Sequence, residues 1–388
     1  MDLAAANESL AHFSNVLIYS SMAVYTLAFL ALITEWIFGT RSKVGRTAAA
    51  LAAKGGSRAT AVTAEARVAK AGGGGTAVLE RPKVVGRAAE GSRDIADGPG
   101  AHGGDEQGDL YGRIAVSLVT LGFLLSAGGV VSRSLSVRRA PWGNMYEFST
   151  TFATVAVGVY LALLLAKKNV RWIGLPLVTT VLLDLGVAVT WLYTESAQLV
   201  PALHSYWLWI HVSTAIFCGA VLYMGAVSSL GYLVRDRYEL RLAAGGVSAL
   251  ERRLAEASRG GSAEGGSRLV LWARVMGNDI LSRLPAAATL DRFAYRVNAA
   301  VFPLWTFTII AGAIWAGDAW GRYWGWDPKE VWSFVTWSAY ACYLHARATS
   351  GWKGRKAAYI ALFAFATYLF NYYGVNFLFG GKHSYSGV

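Results

Sequence analysis

Residues 297–330 read VNAAVFPLWTFTIIAGAIWAGDAWGRYWGWDPKE, and the change of composition inside this stretch decides the fold. Positions 297–316 hold no charged side chain, whereas the residues after them bring Asp318, Arg322, Asp327, Lys329 and Glu330 together with three tryptophans. A bilayer core of roughly 30 Å needs about 20 apolar residues in helix. The stretch therefore reads as one crossing followed by a polar, aromatic connection. Comparable apolar windows lie at approximately 14–37, 112–132, 147–166, 173–193, 207–234, 331–346 and 357–379. The window at 331–346 is the shortest and has the most polar ends. With 54% hydrophobic and 15% charged residues, the chain is too apolar for an ordinary soluble domain. The expected fold is an all-α polytopic integral membrane protein of about eight transmembrane helices.

Charge placement orients it. The first segment follows Asp2 and Glu8 rather than a basic stretch and is itself followed by Arg41, Lys43 and Arg46. It reads as a retained crossing, not a signal peptide, with its amino terminus outside. Take residues 38–113, 167–172, 235–296 and 347–356 as inner. Then only Arg133, Arg138, Arg139, Arg322, Lys329 and Lys382 of the 36 Lys and Arg fall elsewhere. Long loops bias such a count, yet the short inner loops still carry Lys167, Lys168, Arg171, Arg347, Lys353, Arg355 and Lys356. The net charge of +12 thus reports orientation in a plasma membrane rather than nucleic-acid binding. Both termini are expected outside.

The division of the chain follows. Residues 1–40 hold the first crossing. A cytoplasmic loop over 41–108, with AGGGGT, GPG and DEQGD, has the composition of a disordered segment. Crossings two to five occupy 109–234. A second cytoplasmic loop over 235–290 contains ALERRLAEA, which reads as a charged helix, and a GGSAEGGS break. The last three crossings and an outer tail fill 291–388. The GGGG run lacks a following Lys-Ser/Thr step and is a linker, not a phosphate loop. Cys218 and Cys342 lie in apolar windows without CxxC spacing and read as buried small side chains.

The outer connections hold the chemistry. Trp315, Trp320, Trp324, Trp326, Trp332 and Trp337 put six of the 15 tryptophans into one short stretch. An interfacial belt explains Trp142, Trp172 and Trp191. For the dense group two readings stand, a belt or a platform for a large planar ligand. Trp320 and Trp324, four apart, would share a face if helical. In Asp327-Pro328-Lys329-Glu330, Asp fits an N-cap, Pro the first helical position and Glu the third.

Of the six histidines, His12 and His102 fall in polar segments. His204 and His211 are seven apart in LHSYWLWIHV, His383 lies in the outer tail GKHSYSGV, and His345 ends the seventh window in YLHAR. His345 follows Glu330 by 15 residues, about 22 Å along a helix, and so sits near the inner face. Outer His211 and His383 converge with the tryptophans on one side. Two imidazoles on opposite faces of a tetrapyrrole hold haem iron well, while a single histidine at a helix end also serves as a local hydrogen-bonding group. Asp184, inside VLLDLGVAV, is an intramembrane acid and hence a functional candidate, or a partner for an Arg or a Trp N–H.

WGRYWGWDPKEVW resembles the WWD signature of haem-handling membrane proteins of cytochrome c biogenesis. Within that superfamily the chain is similar to the CcsA/ResC family, called CcsB in some bacteria. PWGNMYEF, LHSYWLWIHVS, WSFVTWSAYACYLHAR and NYYGVNFLFGGKHSYSG support this in order, covering roughly 110–235 and 290–388. The resemblance implies that His211 and His383 are the outer axial ligands of haem b carried as substrate. It implies that Trp320, Trp324, Trp326 and Asp327 form the haem-binding segment. His345 would belong to a membrane-level haem site completed by a ResB-type subunit, and His204 has no counterpart. The tail reads GGKHSY where GLHSY is usual, which places Lys382 within reach of a haem propionate. The implied role is the haem-presenting subunit of a two-component cytochrome c synthase, a haem lyase complex, acting on the CxxCH segment of apocytochrome c. Ferrous haem is the implied competent form. The alternatives are delivery of the CcmC/CcmF type, to a haem chaperone or lyase, and a transporter or scaffold that binds no haem.

Overall fold

A computed structural model describes residues 7–38, 106–197, 205–244, 277, 281–349 and 351–382. Eight long helices run through these residues: α1 (Glu8–Phe38), α2 (Glu106–Val137), α3 (Met145–Leu165), α4 (Gly174–Thr190), α5 (Tyr206–Ala243), α6 (Ala287–Trp320), α7 (Pro328–Thr349) and α8 (Arg355–Leu369). A π-helical segment, Phe370–Gly374, continues α8 into a last turn, α9 (Val375–Leu378). Among the described residues there is no strand, and the chain is an all-α polytopic membrane protein.

Seven of these helical stretches are long and apolar enough to cross a bilayer. The exception is α7, whose 22 residues suffice in length while Lys329, Glu330, His345 and Arg347 lower its hydropathy. Its ends nonetheless meet opposite ends of its neighbours. Arg347 pairs with Asp291 of the first turns of α6 at 2.6 Å. Lys329 Nζ donates to the carbonyl of Asn371, just past α8, at 2.9 Å. Helix α7 therefore runs the full depth of the bundle and is its eighth traverse.

The helices alternate in direction, which gives the bundle a basic end and an aromatic end. At the basic end Arg171 meets Glu35 at 2.9 Å and Arg355 meets Asp236 at 2.6 Å. Helices α5 and α6 continue there beyond their apolar windows, tied by Glu239, which accepts from Arg235 and from the Ala287 amide. At the aromatic end the Asn7 amide donates to Ser136 O at 2.8 Å, and the Lys382 amide reaches Asp327. Both ends of the described chain thus lie at the same end.

Among the described residues, two main hydrophobic groups and three small ones fill the interior. One main group joins α1 to α4 through Tyr25, Leu32, Val157, Tyr160, Leu177 and Leu185. The other joins α5 to α8 through Cys218, Leu222, Val301, Trp305, Tyr340 and Tyr368. Cys218 is buried as the sequence suggests, but Cys342 is exposed on the outward side of α7, because its position falls off that helix's packed stripe of Thr336, Ala339, Tyr340 and Tyr343. The expected loop of 41–108 and the ALERRLAEA helix fall outside the described residues, except that 106–108 open α2.

Candidate ligand site at the aromatic end

Helices α5 and α6, the start of α7, the π-helical segment and the turn before α3 enclose a cavity of about 180 Å³. That exceeds the roughly 150 Å³ of an engineered cavity able to take a benzene ring. Trp142, Phe148, Leu208, Trp305 and Trp324 give it aromatic and aliphatic walls. Its polar lining includes His211, Asn144, Thr308, Lys329, Glu330, Ser333 and Asn371. An apolar cleft with a small convergent polar set is the usual form of a ligand site.

His211 stands on the second turn of α5, which Ser205 begins by accepting from the Trp207 amide at 3.2 Å. Its Nδ1 lies 2.8 Å from the carbonyl oxygen of Thr308 on α6. A carbonyl only accepts, so Nδ1 carries the proton and the ring lone pair is on Nε2. This tautomer is the one an imidazole needs to ligate a metal through Nε2, with a backbone carbonyl orienting the ring. The ring lies parallel to Trp315, at 15° and 6.2 Å between centroids. Gly312 makes room for it: a Cβ there would stand 2.7 Å from both Cε1 and Nδ1. Gly312 and Thr308 give no sequence signal of this role, since a small residue and a threonine are ordinary within an apolar helix.

The tryptophan segment is not continuous helix. Helix α6 stops at Trp320 because Gly321 takes a left-handed φ of 69°. Trp320 and Trp324 therefore do not share a helical face, which corrects that expectation. Trp320 instead packs edge-on against Trp315 at 4.8 Å, and Trp324 against Trp326 at 5.9 Å. Trp324 lines the cavity, while Trp326 is 72% exposed and holds a φ of 58°, costly for a bulky residue. The left-handed step turns the amides of Gly325 and Asp327 onto one atom, Glu330 Oε2, at 2.7 and 3.1 Å.

Asp327 caps α7 as its sequence suggests. Its Oδ1 accepts from the Lys329 amide at 3.1 Å, and Glu330 returns a bond to the Asp327 amide, forming a capping box with Pro328 at the first position. Its Oδ2 accepts from the Lys382 amide at 2.8 Å, so the cap also holds the tail. Lys382 Nζ sits over the Trp320 ring at 5.6 Å. His383, the next residue, lies outside the described residues, as do His204 and His102. His345 is exposed near the basic end of α7, far along the bundle from His211, and His12 is exposed on α1.

Several features escaped the sequence reading. Trp142 is not a belt residue: it lines the cavity and meets Trp209 edge-on at 5.9 Å. Trp172, only 4% exposed, belongs to the core, while Trp191 is 77% exposed as a belt residue should be. Glu147 is fully buried between Arg133 at 3.2 Å and Arg139 at 2.7 Å, and accepts from the Gly143 amide at 2.8 Å. Arg133 also donates to the Thr194 carbonyl. This cluster fixes the turn carrying Trp142. The signal was present, since Asn144 and Glu147 have capping spacing and Asn144 accepts from the Glu147 amide at 2.8 Å. Among the described residues Asp184 pairs with neither an Arg nor a Trp: Tyr373 of the π-helical segment donates to its Oδ1 at 2.6 Å.

Residues 142–383 match the sequence profile of a family described as Cytochrome C assembly protein. The chain is 37% identical over 291 residues to the cytochrome c biogenesis protein CcsA of Microcystis aeruginosa, covering 70% of this chain and 85% of that one. It is 35% identical to its counterparts in Gloeobacter violaceus, over 71% and 85% of the two chains, and in Synechocystis, over 71% and 86%. The chain belongs to the cytochrome c assembly family, as a member of its CcsA branch.

Proposed function

We propose that this chain, acting in cytochrome c biogenesis, carries haem b as substrate and presents it at the aromatic end for attachment to apocytochrome c. The observation that carries the reading is His211. It is held in the Nε2-ligating tautomer by Thr308, laid parallel to Trp315, and set in the wall of a largely apolar cavity. His383 is the second axial ligand of this reading, and Asp327 supports it by binding the amide of the preceding residue. Trp320, Trp324 and Trp326 cover the macrocycle. His345 serves a separate site near the basic end, completed by a ResB-type subunit.

The aromatic end faces outward in this reading. Lys167, Lys168, Arg171, Arg347, Lys353, Arg355 and Lys356 all stand at the opposite end, where the positive-inside rule expects them in a plasma membrane. Each thiol of the CxxCH segment adds across a vinyl, sulfur bonding to one carbon and hydrogen to the other. The work of the chain is to bind, orient and exclude water.

The deciding experiment is an absorption spectrum of the detergent-purified protein. A Soret band is expected in the wild type, reduced in His211→Ala and in His383→Ala and partly restored by imidazole. Absence of the band from the wild type excludes haem carriage, and full haem in both variants excludes the two ligands.

A further inference from the structure

Lys329 is a cation inside the same cavity, and the capping role of its neighbours does not account for it. It faces the cavity from the first turn of α7. Its ammonium has three N–H donors. One goes to the Asn371 carbonyl at 2.9 Å, and the Tyr372 ring lies 5.8 Å away. No ion pair within 4 Å joins it to any described carboxylate.

The two nearest acids in sequence are already engaged. Asp327 gives Oδ1 to the Lys329 amide and Oδ2 to the Lys382 amide. Glu330 lines the same cavity but gives Oε2 to two backbone amides and forms no ion pair with Lys329. A charge facing an apolar-walled space is costly unless an opposite charge meets it there. Beside it, Asn371 Oδ1 is a buried acceptor with no partner, and Asn371 Nδ2 donates to Ser333 at 2.9 Å. The cavity thus has an imidazole in its wall and, at the start of α7, a lysine that no described carboxylate pairs with.

We infer that Lys329 binds a carboxylate of the cargo and so sets its rotation within the plane. This rests on the haem reading above. The only charged peripheral groups of protoporphyrin are its two propionates, which share one edge. Anchoring that edge at Lys329 turns the vinyl-bearing edge away from α7 and the π-helical segment. Lys329 is therefore a positioning residue, and the substrate class it selects is a porphyrin with free carboxylates.

The test uses full-length protein from haem-deficient cells, titrated in detergent with iron protoporphyrin IX and with its dimethyl ester, followed by the Soret band. Wild type should bind the diacid roughly tenfold or more tighter, as a lost charge-assisted hydrogen bond implies. Lys329→Met should reduce that preference to about twofold or less while keeping ester affinity, and Lys329→Arg should retain much of it, since both cations meet a carboxylate. Equal binding of diacid and ester by wild type overturns the inference without any variant having to fold. So does a preference that survives in Lys329→Met, or one lost in Lys382→Gln instead. A wild type that binds neither porphyrin defeats the haem reading itself, a different result from binding both equally.

Discussion

The amide of Lys382 donates to Oδ2 of Asp327 at 2.8 Å, so the residue that starts α7 also holds the chain one position ahead of His383. The two carboxylate oxygens serve separate tasks, and substitutions should separate them. Asp327→Ala removes both and should cost about 1 kcal/mol from the cap alone. Asp327→Asn keeps one acceptor for the helix but sets an N–H₂ against the Lys382 amide. Its melting temperature should stay near wild type, while trypsin cleaves after Lys382 several-fold faster. Equal tail cleavage in wild type and Asp327→Asn would show that the tail does not depend on this bond.

Gly312 predicts a steric route to the loss of haem. Any side chain there meets the His211 ring at 2.7 Å, inside ordinary contact, and α6 cannot recede without leaving α5. Gly312→Val should purify with a Soret-to-protein ratio near that of His211→Ala. Gly186→Ala in α4, where nothing lies within 4 Å, should keep the wild-type ratio. Its helix should be steadier by up to about 1 kcal/mol.

Glu147 should prove intolerant of truncation. With Arg133 and Arg139 closing on a fully buried carboxylate, Glu147→Ala strands two guanidinium groups. Breaking such a buried cluster costs about 3–5 kcal/mol. Little folded protein should be recovered by size exclusion in detergent. Glu147→Gln, which keeps an acceptor for the Gly143 amide, should give an intermediate yield.

Asp184 and Tyr373 form a pair whose energetics a double-mutant cycle can isolate. Tyr373→Phe leaves the acid without its 2.6 Å donor and should destabilise by about 1–3 kcal/mol. Adding Asp184→Leu should recover most of that loss, since replacing both partners of a buried hydrogen bond by apolar groups is often close to neutral. Thermal melts of the four proteins give the coupling. Simple additivity would mean the contact carries no weight.

What could be read in advance follows the range of the signals. Apolar windows gave the traverses, because bilayer thickness acts on each segment by itself. The Asp327 cap was visible because a capping box spans only four residues. The tryptophan face was misread, since one left-handed glycine, Gly321, ends the helix that a four-residue spacing had assumed. His211 was visible as a residue type, yet its tautomer depends on a carbonyl 97 positions away. The Trp142 turn, the Arg133–Glu147–Arg139 cluster and the Asp184–Tyr373 pair are contacts between distant segments or turns, and periodicity does not reach them.

The π-helical stretch at Phe370–Gly374 carries one residue more than an α-helical path would need there. Because each residue advances the helix by about 100°, deleting one would swing every later position through more than a quarter turn. Asn371 and Tyr373 would lose their alignment with Lys329 and Asp184, and the strand of chain leading to the tail would leave on the wrong azimuth. The spare residue acts as a phase shift, and its removal should uncouple the chain's last segment from the bundle without melting a single helix.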